Sequence, residues 1–243
     1  RPMRSPGRPS GQQDMSMEGP QENGKLSSQP IEQNSIEIKN NKINLDLTPA
    51  EPSASRADKP TLLLHSCCAP CSSVCLERLT QYFDITLFYY NPNLFPAEEY
   101  ARRVAEQRRL IAALPHANAM DFVEGSYDPD LFYQVVRGLE NEKEGGKRCK
   151  VCFELRLRAA ARAAKSIHAD YFTTTLTVGP KKDAYVLNPL GIKIGEEEGV
   201  AYLTSDFKKR GGFDRSTELS AQYGLYRQDY CGCVFSMKER GLL

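Results

Sequence analysis

From residue 61 onward, short apolar runs alternate with segments of helical spacing. Residues 61–65 form an apolar run of strand length, and residues 69–83 follow as a helix with Pro70 suited to its first turn. A second strand is predicted at 85–90 and is broken by Asn91-Pro92-Asn93. Residues 96–114 are a long helix, with Ala101, Val104, Leu110 and Ile111 near helical spacing. A third strand at 121–124, a short helix at 129–137 and a polar loop at 140–146 precede a strong helix at 148–167, rich in Ala, Leu and Arg. A fourth strand is expected at 171–176 and a fifth at 201–204. Between them, 183–198 is helical in tendency, with Pro189 and Gly191 expected to interrupt or kink it. Residues 216–223 are the last helix. This alternation predicts an α/β domain: a parallel five-stranded sheet with helices on both faces. Ligands of such sheets sit beyond the carboxyl ends of the strands.

Residues 1–60 are of different composition. They hold eight of the 15 prolines but none of the 22 aromatic residues or eight cysteines. Eight basic and eight acidic residues balance there, so the segment is not a charged arm. It lacks the apolar area to offset its ordering entropy and is expected to be a disordered tail ahead of a catalytic domain at 61–243. Its alternating Ile36, Ile38, Ile43, Leu45 and Leu47 read as a greasy patch in a linker, with a weak hairpin as the alternative.

A net charge of +1 excludes a broadly basic nucleic-acid coat and leaves room for a local basic patch. No apolar run has membrane-span length, and no stretch reads as a secretory leader, so a cytoplasmic location without membrane partners is expected. In that setting clustered cysteines point to metal or redox chemistry rather than disulfides.

The cysteines fall in three groups: Cys67, Cys68, Cys71 and Cys75; Cys149 and Cys152; Cys231 and Cys233. The first begins where a strand ends and a helix starts, and a helix N-terminus favours thiolate. The second opens another helix, between Arg148 and Lys150, which favour anionic sulfur. Cys75 reads as a small apolar helix residue packed inward. Three chemistries fit the spacing. Cys68-Ala69-Pro70-Cys71 could be a thioredoxin-like redox dithiol. Cys67 and Cys68 with Cys149 and Cys152 would give the four sulfurs of a structural zinc site. Four thiolates from two segments could hold an iron–sulfur cluster. Spacing alone does not choose among them.

Residues 61–236 resemble the epoxyqueuosine reductases of the QueH type. The resemblance is carried by Leu64-His65-Ser66-Cys67-Cys68-Ala69-Pro70-Cys71, Phe88-Tyr89-Tyr90-Asn91-Pro92-Asn93, Gly146-Lys147-Arg148-Cys149-Lys150-Val151-Cys152-Phe153, Tyr171-Phe172-Thr173-Thr174-Thr175-Leu176, Ser205-Asp206-Phe207-Lys208-Lys209 and Tyr226-Arg227-Gln228-Asp229-Tyr230-Cys231-Gly232-Cys233. It implies an adenine-nucleotide-hydrolase-like (HUP/Rossmann-like) fold. It also implies a [4Fe–4S] cluster beside a further iron or other metal, or redox-active thiols. The substrate would be tRNA carrying epoxyqueuosine at the wobble position of the anticodon loop, reduced to queuosine in the last step of that pathway by electrons from an unidentified donor. The Ser-Gly-Gly loop of ATP-using relatives of this fold is absent, and cysteines take its place, so no ATP chemistry is expected.

On that footing the cluster is assigned to Cys67, Cys68, Cys149 and Cys152, with Cys71 a candidate for the further metal. Cys231 and Cys233 remain as a strained, reducible pair or as ligands of that metal. Asp206 and Asp229 are candidate proton donors, each balanced by an equal reading as a surface carboxylate. His65, on an apolar strand, is expected to be a satisfied core histidine. Lys208, Lys209, Arg210 and Arg215 form the candidate phosphate-binding run. Tyr226, with Tyr89, Tyr90, Phe95 and Tyr230, is a candidate for base stacking, with rim packing the equal alternative for any one ring. Two other classes stay open: a zinc-stabilised tRNA-binding module and a thioredoxin-like thiol oxidoreductase.

Overall fold

In the computed structural model, which describes residues 59–115 and 120–243, the chain winds strand by strand onto a single sheet. The strands are β1 (Thr61–Ser66), β2 (Asp84–Tyr89), β3 (Met120–Glu124), β4 (Tyr171–Thr174) and β5 (Ala201–Tyr202). The helices are α1 (Ala69–Leu79), α2 (Ala97–Ala113), α3 (Pro129–Val135), α4 (Lys147–Ser166), α5 (Ala184–Glu198), α6 (Gly212–Gln222) and α7 (Val234–Glu239). Strand order is β3-β2-β1-β4-β5 and every pairing is parallel. The expected tail and its apolar patch lie outside the described residues.

The order reverses beside β1. The chain leaves β1 for β2 on one side and returns to β4 on the other, which opens a crevice at the carboxyl ends of β1 and β4. β1 is buried along almost its whole length, as a central parallel strand must be. Phe88, Tyr90 and Leu63 join the apolar stripe of α4 (Phe153, Leu157, Ala160, Ala161, Ala164) on one face. Tyr89 packs with Tyr100 and Val104 of α2 on the other. Helices therefore cover both faces.

Three local departures from the sequence pattern have physical causes. α5 runs on through Pro189. The proline removes one early hydrogen bond, to the carbonyl four residues back, and the remaining turns hold. Gly191 fits the helix because the Tyr202 ring occupies the place of a Cβ. β4 stops two residues early, where the Thr174 hydroxyl accepts from Leu176 N at 3.1 Å and turns the chain into a 3-10 helix, Thr175–Val178. α7, which sequence spacing did not predict, is a six-residue helix whose N-cap is Cys233.

Candidate active site

The carboxyl end of β1 carries Cys67 and Cys68 directly into the start of α1. Cys68 is the N-cap residue, with Pro70 in the first turn, so extended backbone passes to helix within two residues. Ser66, Ser72 and Gln107 lock this junction: Ser66 Oγ lies 2.7 Å from Ser72 Oγ and donates to Gln107 Oε1 at 2.8 Å. Cys67 N donates to Thr175 Oγ1 at 3.0 Å, which fixes the junction to the end of β4. The result is a set of three sulfurs, from Cys67, Cys68 and Cys71, all within 4.8 Å of one another. Cys67 and Cys68 Sγ are 3.8 Å apart. A tetrahedral ion with metal–sulfur bonds of about 2.3 Å spaces its thiolates by roughly 3.8 Å, so the donor set fits a metal.

The trio shares its protons unevenly. Cys68 is held well below the usual thiol range because Cys67, and then Cys71, donate to it. Cys71 is pushed well above it because it donates to Cys67 and then to Cys68. Thiolate thus concentrates on Cys68, at a helix N-terminus that favours it. Cys75, one turn beyond Cys71, is fully buried in the core, as its position in the helix suggested.

These sulfurs open onto a cavity of about 240 Å³. Cys231, Gln228 and Asp229 come to it from the carboxyl-terminal segment, Lys182 from the loop before α5, and Arg156 from α4. Cys149 and Cys152 stand on the first two turns of α4. Gly145 N donates to Cys149 Sγ at 3.2 Å. Burial pushes the Cys152 thiol up to about 11. Arg156, one turn after Cys152, is wholly buried; it donates to Asn91 Oδ1 at 2.6 Å and lies in electrostatic reach of Cys152, Cys67 and Cys231. The Asn91-Pro92-Asn93 break therefore has a purpose: Asn91 ties Arg156 to the end of β1, donating to Ser66 O at 2.9 Å. Cys231 and then Cys67 and Cys71, when ionised, raise the proton affinity of Lys182 by more than its burial lowers it, so the ammonium is favoured. Arg148, by contrast, serves the fold. Its guanidinium holds the carbonyls of Glu140 and Glu142 and pairs with Glu239 at 2.9 Å.

Cys231 and Cys233 face different surroundings, and both are free thiols. Cys231 lines the cavity. Cys233 is buried against Phe132, Val136 and Cys152 and accepts from Ser236 N at 3.4 Å. Gly232 makes this possible. Its φ is +119°, and a Cβ there would run into Leu94. Arg103 Nη1 donates to Cys231 O at 3.3 Å and Phe95 N to Gly232 O at 2.8 Å, pinning the segment.

The family profile described as "Epoxyqueuosine reductase QueH" matches residues 62–239. The chain belongs to the epoxyqueuosine reductase QueH family. The epoxyqueuosine reductase QueH of Staphylococcus epidermidis is 41% identical over 221 residues, covering 87% of this chain and 93% of that protein. That of Streptococcus pyogenes serotype M1 is 42% identical over 186 residues, covering 76% and 73%. That of Thermotoga maritima is 34% identical over 186 residues, covering 74% and 92%.

The remaining candidates are placed as follows. His65 is a satisfied core residue: Nε2 donates to Tyr90 O at 3.0 Å and Nδ1 accepts from Thr174 Oγ1 at 2.8 Å. Burial, then the Arg156 charge, pushes it down to about 3. Asp229 lines the cavity. Asp206 lies outside that lining and faces Lys208 and Lys209 at 3.7 and 3.5 Å. Lys208 Nζ donates to Lys182 O at 2.7 Å. Arg215 is engaged by Glu77 at 2.6 Å and Glu218 at 2.9 Å. Tyr226 is covered by Arg102 at 3.4 Å from its ring centroid, and its hydroxyl donates to Glu99. Tyr230 lines the cavity while its hydroxyl donates to Phe95 O at 2.6 Å. Sequence reasoning missed Arg156, Lys182 and Gln228. Arg156 left a signal in its four-residue spacing from Cys152, and Gln228 in its place within the Tyr226–Cys233 motif. No helix among the described residues is long and apolar enough to cross a membrane.

Proposed function

We propose that this chain reduces the cyclopentane epoxide of epoxyqueuosine in a tRNA anticodon loop to the alkene of queuosine. Two electrons and two protons enter, both carbon–oxygen bonds of the epoxide are lost, and its oxygen leaves as water. The observation that carries the reading is the set of three mutually close sulfurs at the end of β1 in a chain of this family. In this reading Cys67, Cys68, Cys149 and Cys152 hold an iron–sulfur centre, and Cys71 with Cys231 a second metal. Bound there, the centre would supply electrons one at a time and a Lewis acid for oxygen.

The chain's own groups supply the rest. Arg156 and Lys182 place two cations among the sulfurs and favour their anionic forms. Asp229, at the cavity wall, is the better placed of the two acids to deliver a proton to the departing oxygen. Gln228 donates to Cys68 and orients it. The tRNA backbone runs along Lys208, Lys209 and Arg210 on the loop after β5. Electrons come from a separate donor.

Iron and sulfide analysis of anaerobically purified protein, followed by turnover of epoxyqueuosine-containing tRNA, tests this. Brown protein that yields queuosine is expected. Cys149→Ala and Cys152→Ala should each lose most of the iron. Colourless, iron-free protein with zinc bound and no turnover would turn the reading to a zinc-stabilised RNA-binding module.

A further inference from the structure

Tyr185 is the most exposed large apolar side chain among the described residues, at 80%. A ring so exposed contributes almost nothing to the core, and packing does not account for it. Its place in the fold is specific. It sits in the first turn of α5, where Asp183 Oδ1 accepts from its backbone N–H at 2.8 Å. That turn follows directly on Lys181 and Lys182, both in the wall of the cysteine cavity. Lys209 Nζ lies 5.8 Å from the ring centroid. Lys208 Nζ, bonded to Lys182 O, ties the loop after β5 to the loop before α5. One exposed aromatic face thus stands at the rim of the cavity between two basic segments. Lys181 and Lys209 have weak partners, Glu144 at 3.5 Å and Asp206 at 3.5 Å, and stay 58% and 65% exposed.

Single-stranded nucleic acid is bound by this combination: a planar ring for a base and cations for its phosphates. A cavity of about 240 Å³ has room for one modified base at most, so the neighbouring nucleotides must be held outside it. We propose that Tyr185 is the stacking platform for an unpaired base adjacent to the nucleotide in the cavity, with Lys181 and Lys209 on the flanking phosphates. This rests on the reading that the substrate is a tRNA loop.

Trp is absent from the chain, so a Tyr185→Trp variant carries a single indole exactly where the base would stack. An anticodon stem-loop RNA should quench its emission saturably, and a fully paired RNA of equal length should not. Tyr185→Ala should weaken stem-loop binding roughly 5- to 100-fold, while Tyr185→Phe stays close to wild type. Circular dichroism confirms that each variant is folded. Wild-type binding with unaltered affinity in Tyr185→Ala would overturn this inference alone. So would an indole emission indifferent to bound RNA, or one that shifts with protein concentration alone, which would mean a second copy covers the ring. Failure of the wild type to bind the stem-loop would overturn both this inference and the tRNA reading.

Discussion

The Arg156 guanidinium lies 4.0 Å from the Cys152 sulfur, one helical turn away, with no carboxylate among the described residues paired to it. A fully buried cation without an acid partner needs another counter-charge, and the nearby thiols are what the site offers. Arg156→Met should therefore raise the proton affinity of Cys152 and Cys67 and weaken any metal they hold, because metal displaces protons from sulfur. Iron per chain after reconstitution at pH 7 is expected to fall several-fold, with partial recovery at pH 8.5. Equal iron in variant and wild type at both values would show that Arg156 serves packing alone.

His65 gives a pH dependence of known sign. Burial and Arg156 hold its folded value down to about 3, against about 6.5 in an unfolded chain. Between those values the unfolded chain binds a proton that the folded chain refuses. Its contribution is therefore fully present above about 6.5 and declines by about 1.4 kcal/mol per pH unit below that, down to about 3. At pH 5 the decline is about 2 kcal/mol. Urea unfolding of wild type and His65→Gln at pH 7.5 and pH 5 checks it. The pH-linked loss should be smaller in the variant by that amount, although the variant is less stable at pH 7.5 for want of the Thr174 and Tyr90 contacts.

The alternation of apolar runs and helical spacing placed all five strands and the long helices, because each has a core face whose period the sequence records. It misplaced what depends on single hydrogen bonds. The end of β4 is set by the Thr174 hydroxyl, and α7 is too short to carry a periodic stripe. At the site, local spacing identified the cysteine groups because neighbours in sequence are neighbours at a helix start. It did not reveal that Cys71 joins Cys67 and Cys68 while Cys231 and Cys233 part. The first follows from the tight entry into α1, the second from the positive φ of Gly232. The pairing of Arg156 with Asn91, 65 residues apart, could not be read from the local pattern around either residue.

Cys233 separates a chemical role from a structural one cleanly. Its sulfur accepts the Ser236 N–H at the start of α7, a bond that a serine hydroxyl makes as well or better. Cys233→Ser should keep α7, the fold and the iron content, with a melting temperature close to wild type. Loss of epoxide reduction in such a protein would assign the thiol to electron transfer with Cys231. Undiminished turnover would make Cys233 a capping residue and remove it from the chemistry.

The basic loop after β5 makes unequal predictions for its residues. Lys209 is 65% exposed, and its ammonium meets Asp206 at 3.5 Å and the face of the exposed Tyr185 ring. Lys208 is committed to Lys182 O, in the cavity wall, and Arg215 to Glu77 and Glu218. A lysine that contacts a phosphate releases counterions, and its removal should flatten the plot of log affinity against log salt by about 0.7 to 0.9. Lys209→Ala should show that change with iron content intact. Lys208→Ala should add a loss of turnover, since it frees the loop that carries Lys182. Arg215→Ala should leave the salt slope alone, because its guanidinium is already satisfied by two carboxylates. Binding isotherms at four salt concentrations for the three variants decide it, and three lines parallel to wild type would place the tRNA backbone on another surface.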